Sequence, residues 1–413
     1  MMKIFTSNYF KIGLYLLSFF YMETALAQEE QSDIEQSVKE NQLNMDAVFS
    51  RPSLSFEKVP VALGGYLEAN TMHRIEEGIT DGLSFQARRL TIFMAASISE
   101  RIKFLTEIEF ENGGKEIAIE FAALDVAFHP MFNLRGGIVM NPIGAFNENH
   151  DGPKWEFVER PDVAVNMLAA TQSNAGFGVY GKTYSGNWIF GYEAYLTNGF
   201  NSKIISNEED KTYLPAYKDG DNLFEENFSG KAMFSGKLAF KNRKIGELGL
   251  SYMGGAYNKF EEDGLSVEDK ARVNVFAIDW NTTIQATNTY IVGEAAFVKV
   301  ETPESYTPQY GNKQHGFFMD VVQPVYKNKI FEWEDATFNI AARFDYVDWN
   351  VGKFKESDTN IGDQLLAVTP GISFRPTPKT VFRINYRYEW QKDIINNPAE
   401  RAATWYMGFS SYF

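Results

Sequence analysis

From about residue 63 to its last residue, the chain consists of runs of about ten residues in which apolar and polar side chains alternate with a period of two. In 101–111, Ile102, Phe104, Ile108 and Phe110 share one face, and Lys103, Glu107, Glu109 and Glu111 share the other. In 380–390, Phe382, Ile384, Tyr386, Tyr388 and Trp390 oppose Arg383, Asn385, Arg387 and Glu389. The pattern recurs in 187–196, in 230–241 with Lys231 and Lys237 on the polar face, and in 336–346 with Arg343 there. A helix would align apolar residues three and four apart; a spacing of two is that of a strand with one apolar face. Such strands suit either a soluble antiparallel sheet or a barrel crossing a membrane, and number and spacing decide between them.

Sixteen runs can be placed: 63–72, 83–96, 101–111, 117–128, 133–140, 175–183, 187–196, 230–241, 246–256, 272–283, 288–299, 315–325, 335–346, 363–374, 379–390 and 403–413. Connections after even-numbered runs are short. Those after odd-numbered runs are mostly longer, notably 141–174 and 197–229, with 112–116 as the exception. Short turns on one side and long loops on the other characterise transmembrane barrels. The final run sets Trp405, Met407, Phe409 and the terminal Phe413 on one face, which resembles the assembly signal of outer-membrane barrels. The expected fold is all-β, a transmembrane antiparallel β-barrel of about sixteen strands. It accounts for a chain that is 15% aromatic and 23% charged, because lipid and water each meet alternate residues.

Residues 1–27 read as a secretory signal peptide. Lys3 and Lys11 precede an apolar stretch over 12–22, and Ala25-Leu26-Ala27 supplies the small-x-small cleavage site. The stretch is shorter than the roughly 20 residues of a membrane-spanning helix. The polar segment 28–60 is expected to be a disordered or weakly helical periplasmic leader, with the barrel occupying 61–413. The absence of cysteine excludes a disulfide scaffold, thiolate metal sites and a thiol nucleophile. A formal charge of −15 argues against a nucleic-acid partner.

Three stretches carry a family resemblance: Phe85-Gln86-Ala87-Arg88-Arg89, the glycine- and proline-bearing segment from Gly137 through Pro142 to Gly144, and Glu159-Arg160-Pro161. From about Leu63 to Phe413 the chain resembles the outer-membrane porin family that includes the phosphate-selective porins O and P. The resemblance implies a sixteen-stranded, homotrimeric, water-filled channel. Where the family usually carries a lysine just before the proline, this chain has Met140-Asn141.

A channel's chemistry lies in its lumen charges and its narrowest loop. Arg or Lys near mid-membrane on the lipid face costs about 2–4 kcal/mol. Parity therefore turns Lys103, Lys231, Lys237, Arg343, Arg383 and Arg387 inward. Arg135 is inward if Leu134, Ile138 and Met140 meet lipid. A regular strand admits only one of Arg88 and Arg89 to the lumen, and Leu90, Ile92 and Met94 facing lipid select Arg89. Arg88 would then snorkel toward headgroups. Glu107 and Glu109 also face inward, so the wall is mixed. Either these charges pair with one another along a wet wall, or the basic ones favour anions such as phosphate. By resemblance to general porins, 141–174 folds into the barrel and brings Lys154, Glu156, Glu159 and Arg160 to a constriction; otherwise it is a solvated surface loop.

Gly176-x-Gly178-x-x-Gly181 matches a dinucleotide fingerprint, but strand alternation continues through Tyr180 with no following helix. His73, His129, His150 and His315 lack metal-ligand spacing. No metal, cofactor or catalytic residue is expected. The leading expectation is a porin for small hydrophilic solutes or anions, with outer-membrane lipid around it. An adhesin or structural anchor and a barrel-embedded hydrolase are the alternatives.

Overall fold

The computed structural model describes residues 41–52, 61–205, 212–215, 224–302, 312–354 and 357–413. The expected signal peptide, and residues 28–40 and 53–60 of the expected leader, lie outside these. In chain order the strands are β1 (Val61–Glu76), β2 (Ile79–Ser97), β3 (Ile102–Glu111), β4 (Glu116–His129), β5 (Phe132–Met140), β6 (Ser173–Ser185), β7 (Trp188–Thr197), β8 (Met233–Asn242) and β9 (Gly246–Ala256). There follow β10 (Glu261–Glu262), β11 (Leu265–Ser266), β12 (Arg272–Ile284), β13 (Thr289–Val300), β14 (Lys313–Ile330), β15 (Trp333–Asp348), β16 (Gln364–Thr377), β17 (Thr380–Lys392) and β18 (Glu400–Tyr412). β10 and β11 form a small separate hairpin. The other sixteen pair antiparallel with their neighbours, and β18 closes on β1, from Tyr66 opposite Tyr412 to Glu76 opposite Ala402. Closure leaves no unpaired edge, which a strand fold needs in order to cross hydrocarbon.

The side-chain period does the rest. Leu63, Leu196, Phe276, Ile340, Trp405 and Met407 stand exposed on the outer face, whereas Tyr66, Glu68, Lys237, Arg343 and Arg383 are buried inside. Aromatic side chains belt the outer wall near both rims. A cross-strand ladder runs Phe338–Phe374–Phe382–Phe409 with ring centroids 4.5, 6.4 and 6.1 Å apart. Phe234, Tyr252 and Phe276 form its counterpart at the opposite rim. The terminal Phe413 bonds through its N–H to the Gly65 carbonyl, and its ring occupies the space a Gly65 side chain would need.

The rim that carries Val61 and Phe413 has short turns throughout. The opposite rim has long loops except at its first two connections. The β1–β2 connection is tighter than the alternation suggests, a two-residue turn in which Glu77 and Gly78 both have positive φ (46° and 83°). That geometry matches strand twist in a hairpin.

One departure from regular pairing matters for function. Glu68 pairs with Arg89, but Ala69 pairs with Ala87, so Arg88 is an extra residue bulged out of β2. A bulge breaks the alternation, and Arg88 turns into the lumen beside Arg89 instead of toward headgroups. A second bulge at Glu120 of β4 likewise buries both Glu120 and Phe121 inside. Deleting Arg88 should restore regular pairing with every other residue on its original face. The deletion variant is expected to fold into a heat-modifiable barrel; a variant that fails to fold would show that the bulge is a framework requirement.

Candidate functional site: the lumen and its inserted loop

The connection between β5 and β6 (141–172) enters the barrel and is buried along most of its length. It is apolar on one side. Ile143, Phe146, Trp155, Val163, Met167 and Leu168 pack on inward Val273, Val275, Val292, Val298 and Phe318 of β12–β14. The Trp155 ring lies 5.0 Å from Phe146 and 6.0 Å from Phe318, and its Nε1 donates to the Asn149 carbonyl at 2.7 Å.

Its polar side is held by the wall charges. Arg383 on β17 donates to the carbonyls of Gly152 (3.2 Å), Trp155 (3.2 Å) and Phe157 (2.6 Å), and to Glu68 at 2.7 Å. Arg343 makes a two-pronged pair with Asp320 at 2.6 Å on both nitrogens and donates to the Glu159 carbonyl at 2.6 Å. Arg387 pairs with Asp162 (2.8 Å) and Glu389 (2.6 Å). Bulged Arg88 grips Glu159 with two bonds of 2.5 and 2.6 Å, and Arg375 pairs with Glu156 at 2.6 Å. Lys237 pairs with Asp279 at 2.8 Å and donates to the Gly144 carbonyl at 2.6 Å. Arg135 bridges Asp125 and Glu193. Arg89 meets Glu111 at 2.8 Å and Glu68 at 3.4 Å, while Glu109 receives Arg160 at 3.6 Å. Lys154 sits 3.5 Å from Asp151.

The lumen thus collects Arg89, Lys103, Arg135, Lys237, Arg343, Arg383, Arg387, Glu107 and Glu109, together with the loop's Lys154, Glu156, Glu159 and Arg160. Lys103 lies toward the short-turn rim, opposite Asp125 in register. Lys231 departs from expectation: it precedes β8, is half exposed, and pairs at 2.8 Å with Glu261 of the β10–β11 hairpin. Alternation runs on past the end of that strand into the loop, and so misplaces it. Alternation also misses Arg88, Glu120 and Arg375, which stand at or beside bulges, and Arg51, which lies before the barrel. The three fingerprint glycines belong to β6, where a Cβ would strike the neighbouring backbone at 2.2–2.4 Å. Close strand approach explains them.

Burial and neighbouring charge tune the loop carboxyls. Burial alone would raise Asp151, but Arg51, Lys154 and His150 outweigh it and hold the group well below the usual carboxylate range. Glu159 is held low by Arg88 against the same burial. Glu148 goes the other way: burial, then the charge of Glu193 and a hydrogen bond with it, push it well up, against Lys237 and Arg135. A carboxyl raised in the folded state favours the loop's seat at low pH, and the benefit fades as pH rises from the ordinary range toward its own value. Above the ordinary carboxylate range, where the lowered Asp151 and Glu159 are already ionised, the loop should therefore loosen with rising pH, and Glu148→Gln should flatten that dependence, as read by protease sensitivity of the loop. An unchanged pH profile in the variant would remove Glu148 from this account.

Glu107, His150 and Asp151 lie close enough together to hold a cation. The position is taken by Arg51, whose guanidinium reaches Glu107 at 2.7 Å and Asp151 at 2.8 Å. His150 faces the Asn147 carbonyl through Nδ1 at 2.8 Å and Glu107 through Nε2 at 3.3 Å.

A closed sixteen-stranded barrel with an apolar exterior, a charged interior and its β5–β6 loop folded into the lumen defines the porin-type channel fold. The comparisons agree on that fold. The anion-selective porin of Comamonas acidovorans superposes with a TM-score of 0.54 at 11% identity, covering 86% of this chain and 99% of that one. The outer-membrane channel DcaP of Acinetobacter baumannii gives 0.52 at 11% identity, covering 85% and 96%. Salmonella typhi OmpF, solved with daunomycin, gives 0.50 at 12% identity, covering 86% and 98%. An uncharacterized protein of Aquifex aeolicus (strain VF5) is 29% identical over 372 residues, spanning 84% of this chain and 80% of the relative. No family model matches the chain.

Proposed function

We propose that the chain is an outer-membrane porin, a passive channel for small hydrophilic solutes. The observation that carries this is the lumen: a closed barrel, apolar outside, whose charged interior is narrowed by its own β5–β6 loop. The signal peptide expected over 1–27 and the family resemblance point the same way, and the resemblance adds a homotrimer to the proposal. The charge pairing bears on selectivity. Arg135, Lys237, Arg343, Arg383 and Arg387 each have a carboxylate partner. Such a wall presents paired dipoles more than bare cations, so it lends little support to an anion or phosphate preference, and a weakly selective pore is the reading favoured. Purified, folded protein in a planar bilayer should give discrete conductance steps with a reversal potential near zero in a salt gradient. Folded protein that stays silent would remove the channel reading. A strongly anion-side potential would restore the selective one.

A further inference from the structure

Resting on that reading, we propose that the segment 43–52 is a tethered plug of the pore. The pocket that seats it is a guanidinium-recognition site, filled by the chain's own Arg51.

The pocket meets one edge and one face of a guanidinium. Arg51 Nε and Nη2 meet the two Asp151 oxygens at 3.1 and 2.8 Å, Nη2 also meets Glu107 at 2.7 Å, and the guanidinium lies over the Phe93 ring at 3.7 Å. A planar fork against a carboxylate with an aromatic face beneath is the arrangement that distinguishes guanidinium from ammonium. The Arg51 side chain is fully buried.

The rest of the segment has a seat of its own. The Asn44 N–H donates to Glu247 at 2.9 Å, and Lys182 holds Asp46 at 2.7 Å. Leu43 and Met45 pack on inward Ile189 and Ala239. They occupy a notch made by Gly191 of β7. A Cβ there would lie 2.4 Å from Leu43 Cδ1 and 2.7 Å from Met45 Sδ, with its next neighbour at 3.8 Å. The wall omits a side chain where the segment enters. Lys182, Ile189 and Glu247 are near the short-turn rim, so the segment seats on the wall at that side, against the β5–β6 loop. Two links tie it to that loop besides Asp151: Lys154 to the Ala47 carbonyl, and Asn44 Nδ2 to the Ala145 carbonyl. A cavity of about 260 Å³ remains beside it, lined in part by Met45, Phe49, Lys103 and Arg135.

Residues 43–52 form one turn of 3-10 helix, Asn44–Asp46, and take no part in any barrel strand pair. Their hold is three ion pairs and the apolar side chains of Leu43, Met45, Val48 and Phe49; a competing guanidinium solute can replace the two Arg51 pairs without disturbing the wall.

The test uses the full chain, in which Ala47→Cys would be the one cysteine. Ala47 is buried, so maleimide labelling in folded barrels should be slow. Gly191→Val, which touches the segment and little else, should speed it at least about tenfold, the ratio of a modest population shift, and should raise single-channel conductance. Millimolar argininamide should also speed labelling in the Gly191 background, and lysinamide of equal charge should not. Labelling that ignores Gly191→Val, or that is already fast, overturns the plug. Equal effects of argininamide and lysinamide overturn guanidinium recognition. If wild type and variant are both silent in bilayers, the porin reading fails and the gating role with it, while labelling still decides whether the segment is seated.

Discussion

Arg383→Ala is expected to be among the most disruptive single changes in the lumen, lowering stability by about 3–5 kcal/mol, the range for breaking a buried ion pair from one side. The side chain is buried, and its four bonds join β17 to Glu68 on β1 and to three carbonyls of the inserted loop. Removing it strips those carbonyls of a charged donor and leaves Glu68 paired with Arg89 at 3.4 Å. Arg383→Lys should recover only part of the loss, because one ammonium cannot span the carbonyl fan and the carboxylate together. Denaturant unfolding of the reconstituted barrel measures the effect, and conductance reports the loop. Should the barrel keep its stability while its reversal potential shifts strongly toward cations, Arg383 would be a selectivity group and the loop-anchoring account would be wrong.

That result would separate two meanings of an inward-facing arginine that sequence alone leaves joined. Alternation turns Arg383 and Arg343 inward because the opposite register, Phe382 with Ile384 and Phe344 with Tyr346, is apolar. It says nothing of what waits inside. The partners lie far along the chain: Glu68 is paired with Arg383, and Glu159 accepts from Arg343. Strand boundaries were legible to within a few residues for most of the barrel, since lipid and water impose opposite demands on successive positions. In β12 alternation gives way for a physical reason. Phe276 and Ile278 meet lipid while Val273, Val275 and Ala277 meet the inserted loop, so both faces are apolar and alternation fades. The bulges at Arg88 and Glu120 were illegible because an extra residue shifts parity without changing composition. Arg51 was hidden differently, as one basic residue in a polar segment whose composition suggests disorder, with nothing local to show that Glu107 and Asp151 converge on it.

The same loop has an apolar anchor, and it yields the second large effect. Trp155→Ala should cost about 3–5 kcal/mol of loop docking, the usual range for truncating a buried Trp when the cavity cannot collapse. Collapse is resisted here because Phe318 is fixed in β14 and Phe146 is pinned by its N–H bond to Glu294 at 3.2 Å. The loss should fall on the loop more than on the wall, since the sixteen-strand ladder does not include Trp155. Each 1.4 kcal/mol is a factor of ten in an equilibrium, so the undocked population should rise by roughly two to four orders of magnitude. Circular dichroism should then show unchanged strand content while single-channel records show larger or noisier conductance. If conductance is unchanged, the loop is held by its charged side alone, and Arg383, Arg343 and Arg88 carry the whole constriction.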